Sequence, residues 1–278
     1  MKCETVKIEI ANSVQASLSL YIQDSYPETY GERKRPLILV CPGGGYEHVS
    51  VREGEPIALH FLTAGCHAAV LWYDIAKQGV EHPQELLELA KATAYIREHA
   101  DAYSIDRDKI LVAGFSAGAH LAASLGCFWQ EDWLEKAAGL SRESYRPNGL
   151  ILAYPVITAG EFAHRGSFVN LMGKAASPEL EAKLSLENQV TDQMPPVFMW
   201  HTFEDGAVPL ENSLLFACAL RRAGVNFEYH VFPHGGHGYS LATKETAMPS
   251  MVEIEPQCEQ WMQLCKNWLK YNYVENCG

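Results

Sequence analysis

Five apolar runs constrain this chain more than any other feature: residues 37–41 (LILVC), 67–73 (HAAVLWY), 109–115 (KILVAGF), 149–155 (GLILAYP) and 196–201 (PVFMWH). Each is short and lacks a polar residue at every second position, so each reads as a strand covered on both faces. Between them lie stretches with helical spacing. Residues 54–64 look helical, and residues 83–99 carry Leu86, Leu87, Leu89, Ala90, Ala94 and Ile96 at helical intervals. A helix follows from Ala117, another spans about 209–223, and the last runs from about 256 to 271. Residues 226–232 (NFEYHVF) add one more strand. Strands alternating with helices predict a mostly parallel sheet with helices on both faces. Residues 5–10 (TVKIEI) and 17–22 (SLSLYI), parted by Asn12 and Ser13, predict an N-terminal antiparallel hairpin, which makes the sheet mixed. Residues 158–193 break the alternation, being polar and small with no clear strand. They read either as a cap over the strands' C-terminal ends or as a surface excursion.

The rest of the composition narrows the partners. The 278 residues are 47% hydrophobic, ample for a buried sheet in one large domain or two small ones. A net charge of −12 argues against nucleic acid, because phosphate binding needs clustered Lys and Arg. No run approaches the roughly 18 apolar residues of a membrane span, so no membrane partner is expected. The opening MKCETVKIEIANSVQASL is polar where a secretory leader needs an apolar stretch. Eight cysteines (3, 41, 66, 127, 218, 258, 265 and 277) are scattered without a CxxC pair. They read as reduced thiols, and a cytoplasmic location is expected.

Gly114-Phe115-Ser116-Ala117-Gly118 fits G-x-S-x-G. Three fixed positions recur by chance in about one chain in ten of this length. Here a buried strand feeds the motif and an Ala-rich helix leaves it, and that context selects the functional reading. The chemistry needs a serine on a tight strand-to-helix turn, its Oγ exposed above the sheet. Such a turn strains the backbone and brings chains close, hence glycine on both sides. The first N–H groups of the helix, starting with Ala117, then face a developing oxyanion.

An acid and a base should follow, each in a loop after a strand. After residues 196–201 comes Thr202-Phe203-Glu204-Asp205-Gly206-Ala207-Val208-Pro209. Asp205 stands where the loop turns, with Gly206 to permit the turn and Pro209 to open the next helix. Glu204 is its neighbouring rival. After residues 226–232 comes Pro233-His234-Gly235-Gly236-His237-Gly238, where the glycines let the loop carry His237 toward Ser116. His237 would take the Ser116 proton and return it to the leaving group, while Asp205 fixes its tautomer. His234 reads as a rim residue. His120 and His201 read as scaffold, although His120 lies one turn after Ser116. No H-E-x-x-H or cysteine cluster accompanies these histidines, so no metal and no cofactor is expected.

The first buried strand ends in Cys41-Pro42-Gly43-Gly44-Gly45-Tyr46. Consecutive glycines let backbone N–H groups turn inward unobstructed. Gly44, Gly45 and Tyr46 are the candidates for an oxyanion hole, together with Ala117.

PGGGY, GFSAGAHLA, PPVFMWHTFEDGAVP and VFPHGGHG together resemble the esterase/lipase branch of the α/β-hydrolases that includes acetyl-xylan and feruloyl esterases. The resemblance runs from about residue 35 to the C-terminus. It implies one α/β-hydrolase domain over 1–278, and it puts Ser116, Asp205 and His237 on the family's triad. FVNLMG (168–173) with LSLENQVT (184–191) resembles the family's cap, which implies a cap-like insertion at about 158–193. Many members carry His-Gly-Gly-Gly where this chain has Pro42-Gly43-Gly44-Gly45; related branches also have proline there. The activity implied is deacetylation of short acyl esters, often on xylo-oligosaccharides.

Three readings of function stay open on sequence. The first is a serine carboxylesterase acting on small acyl esters, with acetylated xylo-oligosaccharides as the expected class. The second is an amide-bond hydrolase on the same triad, arylformamidase-like or a small peptidase. The third is a non-catalytic binding protein, which would predict a broken triad. Tyr46, Trp72, Tyr73, Phe162 and Phe168 could line a sugar-binding rim or lie in the core, with core preferred for Trp72 and Tyr73. A monomer and a homodimer both remain open.

Overall fold

In the computed structural model, which describes residues 1–26, 28, 33–249 and 254–274, the apolar runs lie side by side in one sheet. Its strands are β1 (Lys2–Lys7), β2 (Ser17–Ile22), β3 (Arg35–Cys41), β4 (His67–Trp72), β5 (Ile105–Phe115), β6 (Gly149–Ala153), β7 (Val197–Thr202) and β8 (Phe227–Phe232). Their spatial order is β1-β2-β4-β3-β5-β6-β7-β8. β1 with β2 and β2 with β4 run antiparallel, and every other pair is parallel.

The helices are α1 (Glu55–Leu62), α2 (Gln84–Glu98), α3 (Ala117–Phe128), α4 (Asp132–Ala138), α5 (Arg142–Tyr145), α6 (Arg165–Met172), α7 (Pro178–Leu184), α8 (Glu211–Ala223) and α9 (Pro256–Leu269). Alternation along each strand divides the core into two layers. Leu37, Leu39 and Cys41 of β3 join the layer packed with α2, α3 and α8. Ile38 and Val40 turn the other way, toward Ile57 and Phe61 of α1 and Trp261, Cys265 and Leu269 of α9.

Several expected boundaries move. The first strand ends at Lys7 rather than residue 10. Ile8 N–H still bonds Ala16 O at 2.9 Å, but residues 9–15 form the turn. β5 begins at Ile105, four residues before its apolar part. β8 is half-exposed, because it closes the sheet as an edge strand with only β7 beside it. The short helices α4 and α5 were not foreseen. Their local patterns are weak, and a remote side chain secures α5: the buried Arg97 guanidinium of α2 donates to the carbonyls of Ser144 and Arg146 at 2.6 and 2.7 Å. Residues 158–193 contain α6, α7 and two single 3-10 turns, with no strand. Cys277 lies outside the described residues.

Candidate active site

Ser116 joins β5 to α3 and adopts φ 53° and ψ −118°, a conformation that L residues avoid. Its N–H is tied to Ala153 O of the neighbouring strand at 3.0 Å, which helps to hold the strain. The flanking glycines are required by contact. A Cβ on Gly114 would stand 2.3 Å from Gly118 O, and one on Gly118 would stand 2.2 Å from Cys41 O. So α3 rises steeply from the strand with its backbone pressed on the end of β3.

The fold brings Ser116, His237 and Asp205 into one hydrogen-bonded row. Ser116 Oγ lies 2.7 Å from His237 Nε2, and His237 Nδ1 lies 2.7 Å from Asp205 Oδ2. Since the carboxylate can only accept, Nδ1 carries the proton and Nε2 is free to accept from the serine hydroxyl. The Asp205 side chain is fully buried, whereas that of His237 is 22% exposed. Burial alone would raise the Asp205 carboxyl. Hydrogen bonds from His201 and His237, with their charge, outweigh it and hold the group well below the usual carboxylate range. Oδ1 accepts from the N–H groups of Ala207 and Val208 at 3.0 and 2.9 Å, so both oxygens are engaged.

The rival residues lie elsewhere. Glu204 points to the surface and pairs with the exposed His234 at 3.1 Å. His120 is buried and bridges Tyr46 O–H at 3.0 Å to Leu184 O at 2.9 Å. Burial pushes its imidazole down to about 4, which keeps it neutral. His201 is more than scaffold, because its Nε2–H reaches Asp205 Oδ2 at 3.2 Å and Val208 O at 3.0 Å. Gly206 has an ordinary φ and open space around it, so the turn at Asp205 does not depend on that glycine.

The loop after β3 passes directly over the serine. A Cβ on Gly43 would lie 3.0 Å from Ser116 Cβ, and one on Gly44 (φ 126°) would lie 2.0 Å from His48 O. Among the described residues, the N–H groups of Gly44, Gly45, Tyr46 and Ala117 have no hydrogen-bond acceptor. Tyr46, Tyr73 and Phe168 are buried at 1%, 2% and 2% exposure, which corrects the sugar-rim reading for Tyr46 and Phe168 and agrees with the core preference for Tyr73; Trp72 and Phe162 are partly buried.

Four contributors left little mark in the sequence. Glu53 accepts from Gly43 N–H at 2.8 Å, and Tyr154 O–H donates to the same carboxyl at 2.6 Å. His164 caps α6, and burial together with the charge of His237 lowers it against the opposing pull of the Asp205 carboxylate. Asn170 of α6 donates to Gly45 O at 2.8 Å. Among the described residues, no three His, Cys, Asp or Glu side chains gather as a metal site, and no helix is long and apolar enough to cross a membrane.

Against this geometry, the BD-FAE family model matches residues 23–220. Endo-1,4-beta-xylanase B of Butyrivibrio fibrisolvens is 42% identical over 214 residues, which are 76% of this chain and 34% of that protein. The chain spans between 32% and 53% of the length of the curated relatives it matches. Among solved structures, the acetyl ester-xyloside bifunctional hydrolase of Caldicellulosiruptor lactoaceticus superposes with a TM-score of 0.77 at 38% identity, covering 94% of this chain and 89% of that one. The carboxylesterase Cest-2923 of Lactobacillus plantarum WCFS1 gives a TM-score of 0.86 at 28% identity, covering 98% of each chain. The chain belongs to the BD-FAE family and has the α/β-hydrolase fold.

Proposed function

We propose that this chain is a serine carboxylesterase that removes short acyl groups, acetyl above all, from O-acylated xylo-oligosaccharides. The observation that carries the proposal is the row Ser116 Oγ, His237, Asp205, with both links at 2.7 Å. Ser116 attacks the ester carbonyl as His237 Nε2 takes its proton, and Asp205 stabilises the resulting imidazolium. The tetrahedral oxyanion is held by the Ala117 N–H and by those of Gly44, Gly45 or Tyr46, whose lack of internal acceptors supports this role. His237 then protonates the departing sugar oxygen. Water, activated by the same imidazole, cleaves the acyl-enzyme and restores the serine.

A small acyl group suits the ground behind the oxyanion loop, where the buried rings of Tyr46, His120 and Phe168 pack edge to face. Residues 158–193 act as a cap, a reading supported by the contact of Asn170 with the oxyanion loop. The single sheet supports one domain over 1–278. The seven described cysteines are all free thiols, which supports a reducing, cytoplasmic setting. The ester reading is favoured over the amide one by the Caldicellulosiruptor hydrolase, whose name couples an acetyl ester with a xyloside.

The test is turnover of p-nitrophenyl acetate and butyrate, acetylated xylo-oligosaccharides and N-formylkynurenine, with Ser116→Ala beside the wild type. Acetate release from both ester classes that vanishes in the variant is expected. Activity confined to the formamide, or turnover independent of Ser116, would overturn the proposal.

A further inference from the structure

Glu53 is 4% exposed, sits in the turn Val51–Glu53 before α1, and has no ion-pair partner among the described residues. Both of its oxygens accept: Oε2 from Gly43 N–H at 2.8 Å and Oε1 from Tyr154 O–H at 2.6 Å. Accepting at both oxygens is the pattern of a carboxylate. A buried carboxylate without a cation is costly, and an apolar residue of similar size would spare that cost. Its two contacts, rather than its packing, therefore account for it.

One contact anchors the oxyanion loop. The peptide between Pro42 and Gly43 is gripped at both ends, its N–H by Glu53 and its carbonyl by Tyr73 O–H at 2.7 Å. The following N–H groups are left free to face the serine. The other contact leads to the base. Tyr154 follows β6 with φ 37°, its hydroxyl accepts from Ser240 N–H at 2.9 Å, and its ring meets that of His237 edge to face at 5.1 Å. Ser240 Oγ in turn donates to Arg52 O at 2.8 Å, and the Arg52 guanidinium holds Gly238 O and Thr246 O at 2.5 and 2.6 Å. Two successive residues, Arg52 and Glu53, thus bind both loops that close over Ser116.

We infer that Glu53 and Tyr154 are positioning residues acting as one unit, which keeps the oxyanion loop and the His237 loop in a common register above Ser116. The catalytic consequence rests on the esterase reading; the mechanical coupling does not.

Glu53→Gln and Tyr154→Phe are near-isosteric and remove the linkage with little loss of packing. Amide hydrogen exchange, read by mass spectrometry, should rise in both 42–46 and 236–242 in either variant while α2 stays protected. The kcat on p-nitrophenyl acetate should fall about 10- to 100-fold, the scale seen when outer hydrogen bonds to a site are lost. KM should stay within about twofold, since substrate binding is not what the linkage serves. The double variant should be no slower than the slower single one. If Glu53→Gln loosens only 42–46 and Tyr154→Phe only 236–242, or if their effects on kcat multiply, the inference is overturned. Absence of Ser116-dependent turnover in the wild type would overturn the esterase reading alone, and the exchange data would still decide the coupling.

Discussion

His201 and His237 share one oxygen, Oδ2 of Asp205, at 3.2 and 2.7 Å. His201 is itself fixed from behind by Ser213 Oγ at 2.7 Å, and its side chain is fully buried. It therefore sets the direction of the carboxylate that directs His237. Replacing His201 by Leu should lower kcat about tenfold with little change in KM, because the lost contact orients the base rather than the substrate. His201→Gln, which can still donate, should recover part of that loss. Steady-state kinetics of both variants on p-nitrophenyl acetate would decide it; equal losses in the two would contradict an orienting role.

The depressed Asp205 carboxyl has a consequence for pH. Its folded value lies below the unfolded one, so the stability it contributes is complete above the ordinary aspartate range near 3.9 and is lost as pH falls below it. Asp205 thus stays ionised down through the ordinary aspartate range. Protonation of Asp205 should therefore add no second proton to the acid limb of log(kcat/KM), whose slope should not exceed one down to about pH 4.5. A slope of two above about pH 4.5 would mean that Asp205 takes up a proton in that range.

Two glycines of the site motifs should respond in opposite ways to alanine. Gly118→Ala puts a methyl group 2.2 and 2.3 Å from the carbonyl oxygens of Cys41 and Pro42, which are backbone and cannot swing away. The cost should be about 3 kcal/mol or more, with loss of activity as the elbow opens. Gly206→Ala meets nothing within 4 Å among the described residues, so stability should be unchanged within about 0.5 kcal/mol. Urea-unfolding midpoints of the two variants provide the check.

That contrast also marks what could be read from the chain. The parallel strands were legible because burial on both faces leaves unbroken apolar runs such as 37–41 and 67–73. The three loops that converge at Ser116 were legible because each follows a strand at its C-terminal end, although the last of these strands, β8, is only half-buried. The functional need for Gly206 was read from residue type alone, and space around the turn makes it dispensable. Glu53, Tyr154 and Asn170 left no periodic trace. Their contacts join residues 101 positions apart (Glu53 with Tyr154) and 125 apart (Asn170 with Gly45), and only the folded topology brings such pairs together. The same holds for α5, where Arg97 of another helix ties down the carbonyl of Ser144 and that of Arg146 just beyond it.

A second pH effect belongs to stability rather than catalysis. Glu85 of α2 is fully buried, and among the described residues neither of its oxygens finds a partner in another residue. Burial, helped by the nearby Glu88, Asp74 and Glu81, pushes its carboxyl up to about 8. The folded state therefore keeps a proton that the unfolded chain releases above about 4.3. Stability should fall as pH rises between those two values, by up to about 1.4 kcal/mol per unit, and level off beyond the upper one. Glu85→Gln is permanently neutral and should flatten this decline. Urea unfolding of both proteins at pH 6 and pH 8.5 tests it; parallel losses of stability would assign the decline to other groups.

Asn170 gives the most direct test of whether the cap serves the site. Its amide donates to Gly45 O at 2.8 Å, which orients the peptide linking Gly45 to Tyr46 and with it the free N–H of Tyr46. The contact comes from α6, inside the segment that interrupts the strand–helix alternation. Asn170→Ala should cost about 1 kcal/mol or less in stability, since one partly buried hydrogen bond is removed. Its effect on catalysis should be larger, a fall in kcat of about tenfold, because the oxyanion donors must be held in place before the charge develops. Asn170→Asp keeps the size but presents only acceptors to Gly45 O, so it should be at least as slow as the alanine variant. Comparing kcat with the unfolding midpoint for the two variants separates the roles. If kcat follows stability alone, α6 is a surface excursion; if kcat drops while the midpoint holds, the cap is part of the catalytic apparatus.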